Sequence, residues 1–165
     1  MSYVERFRAT DDLMNHLISS VQTLPDEQLK SKYAGFLCTN AVTVYELAIK
    51  DIFIEFAEKK NQILGNFVER YFDRINGQIM LNDIKKYVKL FGEKYLEKFN
   101  SKMEKKNKTI VKMCHNDIRA AYGNLITCRH KFIHSNNQTL TFNEVVEYYK
   151  IGKEIIHVLN ETMKR

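Results

Sequence analysis

Phe36-Leu37-Cys38-Thr39-Asn40-Ala41-Val42-Thr43-Val44-Tyr45-Glu46-Leu47-Ala48-Ile49-Lys50-Asp51-Ile52-Phe53-Ile54-Glu55-Phe56 is apolar on nearly every side when wound at 3.6 residues per turn. A helix without a broad polar face has to be surrounded by other helices. The window from Phe36 to Lys59 therefore reads as the central helix of a bundle. Glu46 is the exception within it, an anion that needs a cation or water wherever its neighbours are buried.

Working outward, Phe7, Leu13, Met14, Leu17, Ile18, Val21 and Leu24 recur at threes and fours, which predicts an amphipathic helix from Val4 to Leu24. Pro25 ends it, and Asp26-Glu27 opens a short continuation towards Tyr33. Beyond the central window, Asn61 to Gly77 and Gln78 to Phe91 read as shorter helices punctuated by Gly65, Gly77 and Gly92. Lys94 to Lys106 follows as a basic, solvent-facing helix carrying Tyr95, Phe99 and Met103. Asn116 or Asp117 caps the next one, whose stripe is Ile118, Ala121, Tyr122, Leu125 and Phe132. Thr141-Phe142-Asn143-Glu144 is a capping box, with Leu140 and Val145 as its hydrophobic staple, and it opens the last helix.

The chain has 165 residues, six glycines and one proline, with 44% hydrophobic residues, enough for one sizeable core and few turns. The expected fold is all-α: a compact up-and-down bundle of about five to seven helices, forming a single domain over 1–165. No window approaches the ~20 apolar residues of a membrane span, and Met1-Ser2-Tyr3-Val4-Glu5-Arg6 lacks a signal pattern. The protein is expected in the cytoplasm, with no membrane partner. Cys38, Cys114 and Cys128 are odd in number and scattered, so they read as small buried residues and not as a disulfide or zinc framework.

The net charge is +6, and Ile84 to Lys108 alone holds nine lysines against three glutamates. Such a stretch is either a solvated helix face or a patch that attracts RNA, with Lys85, Lys86, Lys89, Lys94 and Lys98 as contacts and Tyr87, Tyr95 and Phe99 as stacking platforms if exposed.

Chemistry concentrates in Arg129-His130-Lys131-Phe132-Ile133-His134, ahead of the polar turn Ser135-Asn136-Asn137-Gln138. Arg129 falls on the apolar stripe between Leu125 and Phe132, where an unpartnered cation is costly. The simplest joint solution for two misplaced charges is that Glu46 lies near Arg129 and orients its guanidinium. His134 lies five residues on, about 140° around a straight helix, so spacing alone does not bring the two side chains together. A helix ending within a turn of His134 would let the backbone swing the imidazole back. His157 is the outlying histidine expected nearest the motif. His130 and His134 form an H-x3-H pair that also suits a metal, but no third ligand is evident and no metal or cofactor is expected. The plain alternative is an arginine with its stem in the core edge and a histidine at a helix end.

Arg129-His130-x-x-x-His134 resembles the R-polar-x-x-x-H signature of the HEPN superfamily, in particular its small standalone RiboL-PSP-like members. The order of helices, the glutamate at Tyr45-Glu46 and the final capped helix are similar too. The resemblance implies a metal-independent endoribonuclease, acting as a toxin or anti-phage effector. In it His134 is the general base on a ribose 2′-hydroxyl, Arg129 stabilises the phosphorane, and His130 contacts phosphate or fixes His134. It also implies a homodimer with a composite site, and an antitoxin or defence-system partner. Asn136 and Asn137 are turn residues or donors to RNA at the rim. The competing expectation is a non-catalytic HEPN-like module that binds RNA or protein.

Overall fold

The computed structural model describes residues 3–75 and 79–164, and all seven regular elements within them are helices. They are α1 (Tyr3–Gln22), α2 (Glu27–Glu58), α3 (Gln62–Asp73), α4 (Leu81–Leu90), α5 (Glu93–Cys114), α6 (Ile118–Ser135) and α7 (Phe142–Met163). The compact helical bundle expected from the sequence is therefore present. The boundary drawn at Gly77 and Gln78 lies outside the described residues.

The central element is longer than its apolar window. Asp26 caps it by accepting from the N–H groups of Gln28 and Leu29, and 32 residues then run unbroken to Glu58. The short continuation towards Tyr33 and the central helix are one helix, because nothing between them breaks it. Gly35, inside this helix, leaves room for α6: a Cβ there would stand 2.3 Å from the Phe132 ring. Gly65 also lies inside a helix, where a Cβ would meet the Glu58 side chain at 2.5 Å, so α3 starts at its Asn61 cap and not at the glycine. Gly92, at φ +126°, does separate α4 from α5.

The remaining caps follow local chemistry. Asp117 accepts from Arg119 and Ala120 to start α6, and Thr141 with Glu144 forms the capping box of α7. α5 reaches Cys114, eight residues past the expected end, and it packs on α7 with Phe99 and Met103 buried. Its basic face is exposed but its other face is part of the core. Cys38 and Cys128 are buried as expected, whereas Cys114 is exposed at the end of α5.

The buried side chains of all seven helices form one cluster. Its axis is a stack of tyrosines: Tyr45 of α2 lies parallel to Tyr122 of α6 (centroids 5.5 Å apart) and Tyr149 of α7 (5.7 Å). Each hydroxyl has a partner, the carbonyl of Tyr149 for Tyr45, the carbonyl of Ile79 for Tyr122 and Asp11 for Tyr149. The stack fixes α2, α6 and α7 against each other beside Glu46. No described helix is long and apolar enough to cross a membrane.

Candidate functional site

α2 and α6 run antiparallel, as three pairings show: Gly35 meets Phe132, the Cys38 thiol donates to the Leu125 carbonyl (3.2 Å), and Tyr45 stacks on Tyr122. Along this seam Arg129 turns towards α2, as its place on the stripe requires. The site is built where the seam carries charge.

Glu46 and Arg129 are both half-buried, and the charge of Arg129 acts on the Glu46 carboxyl. They do not close an ion pair within hydrogen-bond reach among the described residues. Glu46 Oε1 and Arg129 Nε are instead buried atoms with no hydrogen-bond partner there. Two unpartnered, oppositely charged atoms facing one seam are costly, since each has lost water without gaining a bond. The guanidinium is thus held near an anion without a hydrogen bond from its Nε to it.

Burial pushes the Glu46 carboxyl above its ordinary value of 4.5, against the opposing pull of Arg129, Lys50 and the backbone N–H of Ile79. A carboxyl raised on folding costs the folded state its ionised form. That cost is fully present above the folded value, and it disappears as the pH falls to 4.5. Glu46→Gln is therefore expected to raise the midpoint of thermal unfolding at pH 7.5, with the gain shrinking towards pH 4.5. A lower midpoint for the variant at pH 7.5 would mean that Glu46 is a stabilising partner of Arg129 after all.

His130 and His134 are exposed on the outer face of α6, one turn apart, with ring centroids at 4.5 Å. Among the described residues no further His, Cys, Asp or Glu joins them in a cluster suited to a metal. α6 stays helical through Ser135, and Asn136 then ends it in the left-handed region at φ 49°, donating to the Phe132 carbonyl (3.0 Å). The helix does end just past His134. It ends too late to swing the imidazole back, so the structure brings His130 to His134 and Arg129 to Glu46, while helix geometry sets His134 about 140° around α6 from Arg129.

Asn136 also lines a groove of about 500 Å³ with Lys32, Phe132 and Gln138, and the neighbouring Asn137 N–H caps the Lys131 carbonyl. The lysines are elsewhere. α5 touches the start of α6, where the Asn107 side chain accepts from the Ile118 N–H, and Arg129 lies about 16 Å further along the helix. Lys86 and Lys89 pair with Asp83 and Glu93, Lys94 lies over the Tyr95 ring, and Lys98 donates to the Thr162 and Lys164 carbonyls at the end of α7. Only Lys85 of the five has no such contact among the described residues. Phe99 is fully buried, and Tyr87 and Tyr95 lean on Phe72 and Phe56, so Phe99 offers no stacking face and the other two have given theirs partly to the core.

His157 is not near the motif. It sits about 22 Å along α7, against Phe7 and the Tyr3 hydroxyl (3.3 Å), where burial lowers its basicity. Sequence reasoning also passed over Phe36, which stands 63% exposed at the motif end of α2 and meets Phe132 edge-on. A large aromatic at the open edge of an otherwise buried helix was the available signal. It passed over the thiol pair as well: Cys38 is pushed up by the neighbouring Cys128 thiol and by burial, directly behind the Arg129 backbone.

Compared with known proteins, residues 5–165 match the family model described as RiboL-PSP-HEPN. Neither the curated proteins nor the solved structures gave a match.

Proposed function

Because this chain belongs to the RiboL-PSP-HEPN family, within the HEPN superfamily, we propose that it is a metal-independent endoribonuclease whose site is completed by a second copy. The observation that carries this reading is Arg129, a half-buried guanidinium held beside Glu46 without an ion pair to satisfy it. An enzyme that must bind a phosphate and then a phosphorane needs such a cation, oriented but unspent. A purely structural arginine would be expected to close on the carboxylate beside it.

In the proposed reaction His134 removes the proton from a ribose 2′-hydroxyl. The 2′-oxygen attacks phosphorus while the bond to the 5′-oxygen breaks, and that oxygen takes a proton from the His134 of the other protomer. Arg129 stabilises the charge that gathers on the phosphoryl oxygens, and His130 fixes His134 from one turn away. The products are a 2′,3′-cyclic phosphate and a 5′-hydroxyl. Phe36 of α2 and Ile133 of α6, both exposed, supply the apolar part of a two-fold interface. The whole chain acts as one domain in the cytoplasm, as a toxin or anti-phage effector restrained by a partner.

The second reading, a non-catalytic RNA- or protein-binding module, draws on the unbroken helix of α6, along which Arg129 and His134 start about 140° apart. The two readings separate on incubation with total RNA in EDTA. Cleavage that yields cyclic phosphate ends, spares DNA and is lost in His134→Ala supports the enzyme. Binding without cleavage supports the module, and cleavage that EDTA abolishes contradicts the proposed chemistry.

A further inference from the structure

α3 packs on α2 and α4 packs on α5, and between α3 and α4 runs an open groove of about 560 Å³. Its walls are apolar: Leu64, Phe67 and Tyr71 of α3 face Tyr87, Leu90 and Phe91 at the other side. Phe67 and Leu90 are 68% and 69% exposed. Exposed side chains of this size gathered along one groove are unusual on a surface that meets only water.

We propose that this groove docks an amphipathic helix of a partner protein whose apolar stripe is flanked by Asp and Glu. Length supports a helix. Leu64 to Tyr71 spans about 10 Å, the same rise as an i to i+7 set of anchors on an incoming helix. Charge selects the flanks. Between Lys59 and Lys94 the sequence carries eight Lys or Arg against four Asp or Glu. Of those cations Lys94, over the Tyr95 ring (5.3 Å), and Arg70, exposed near the end of α3, form no ion pair among the described residues. Phe56 packs edge-on against both Tyr95 (5.4 Å) and Phe91 (5.3 Å), which sets Lys94 near the Phe91 end, where an acidic flank would pair it.

The same charge argues against a second copy of this chain. A two-fold contact would lay the patch on itself and set cation against cation. It also lies on α3 and α4, away from the α2 and α6 ends that carry Phe36 and His134. RNA is the alternative occupant that the test separates, since five of the eight lining residues are aromatic.

The test uses the full chain and a labelled helical peptide of about five turns, with leucine at i, i+3, i+4 and i+7 and glutamate elsewhere. Its affinity, read by fluorescence anisotropy, is expected to exceed that of the lysine-for-glutamate counterpart by at least about tenfold. The double variant Phe67→Asp, Leu90→Asp is expected to lose at least about tenfold as well, with an unchanged unfolding midpoint because both side chains already face solvent. Equal affinity for the two peptides, or an unaffected double variant, overturns the proposal. So does an oligouridine whose binding the double variant abolishes, or a dimeric protein that the double variant makes monomeric. Binding is read without RNA cleavage, so failure of the nuclease reading leaves this result standing.

Discussion

Arg129→Ala is expected to reduce RNA cleavage by about 10²–10³-fold, the range seen when a donor aimed at transition-state charge is removed. The loss should fall on kcat more than on KM. A guanidinium that meets charge still developing on the phosphoryl oxygens contributes most at the top of the barrier. Arg129→Lys is expected to recover little of it. Arg129 Nε is buried in the α2–α6 seam and the charge of Glu46 acts on that position. A lysine ammonium is a point charge on a flexible stem and cannot reproduce a fork held from behind. Unfolding midpoints close to wild type in both variants would exclude loss of fold as the cause. Cleavage by Arg129→Ala at a rate close to wild type would remove the residue from the mechanism.

The helical stripes were legible because each one buries against a neighbour at 3.6-residue spacing, and the caps at Asp117 and Thr141 because their bonds are local. The unbroken run of α2 through Gly35 was not. Its glycine signals a close approach, and the ring it admits, Phe132, lies 97 residues away on α6. The same divide runs through the site. That Glu46 and Arg129 share one seam followed from two charges with no other place to go. That they stop short of an ion pair depends on the relative register of two helices, which no local pattern encodes. The pairing of His130 with His134 is set by helix geometry alone, and it appears as spacing predicts. His157 went the other way: its position along α7 puts it beside α1, a consequence of antiparallel packing against α6. The α3–α4 groove escaped notice because Leu64, Phe67 and Tyr71 have the spacing of a core stripe. Only the packing leaves them uncovered.

A mixed dimer of one wild-type and one His134→Ala copy, isolated through two different tags, is expected to cleave RNA about 10²-fold more slowly than the wild-type dimer. The expectation comes from the geometry of α6. The helix is continuous from Ile118 to Ser135, so Arg129 and His134 stay about 140° apart around its axis, one towards α2 and one towards solvent. Spacing along one straight helix therefore does not by itself bring them onto one phosphate. In-line displacement also needs a base at the 2′-oxygen and an acid at the 5′-oxygen, which lie on opposite sides of phosphorus. One outward-facing His134 per copy meets only one of those needs, and a two-fold axis close to Phe36 and Ile133 supplies the other from the partner. If each protomer instead carried a complete site, with His130 as its own acid, the mixed dimer would keep half the wild-type rate. A rate near half, or a wild-type protein that is monomeric by light scattering while it cleaves RNA, would therefore place acid and base on the same helix face. The pair of imidazoles at 4.5 Å would then be the catalytic unit in place of the composite site.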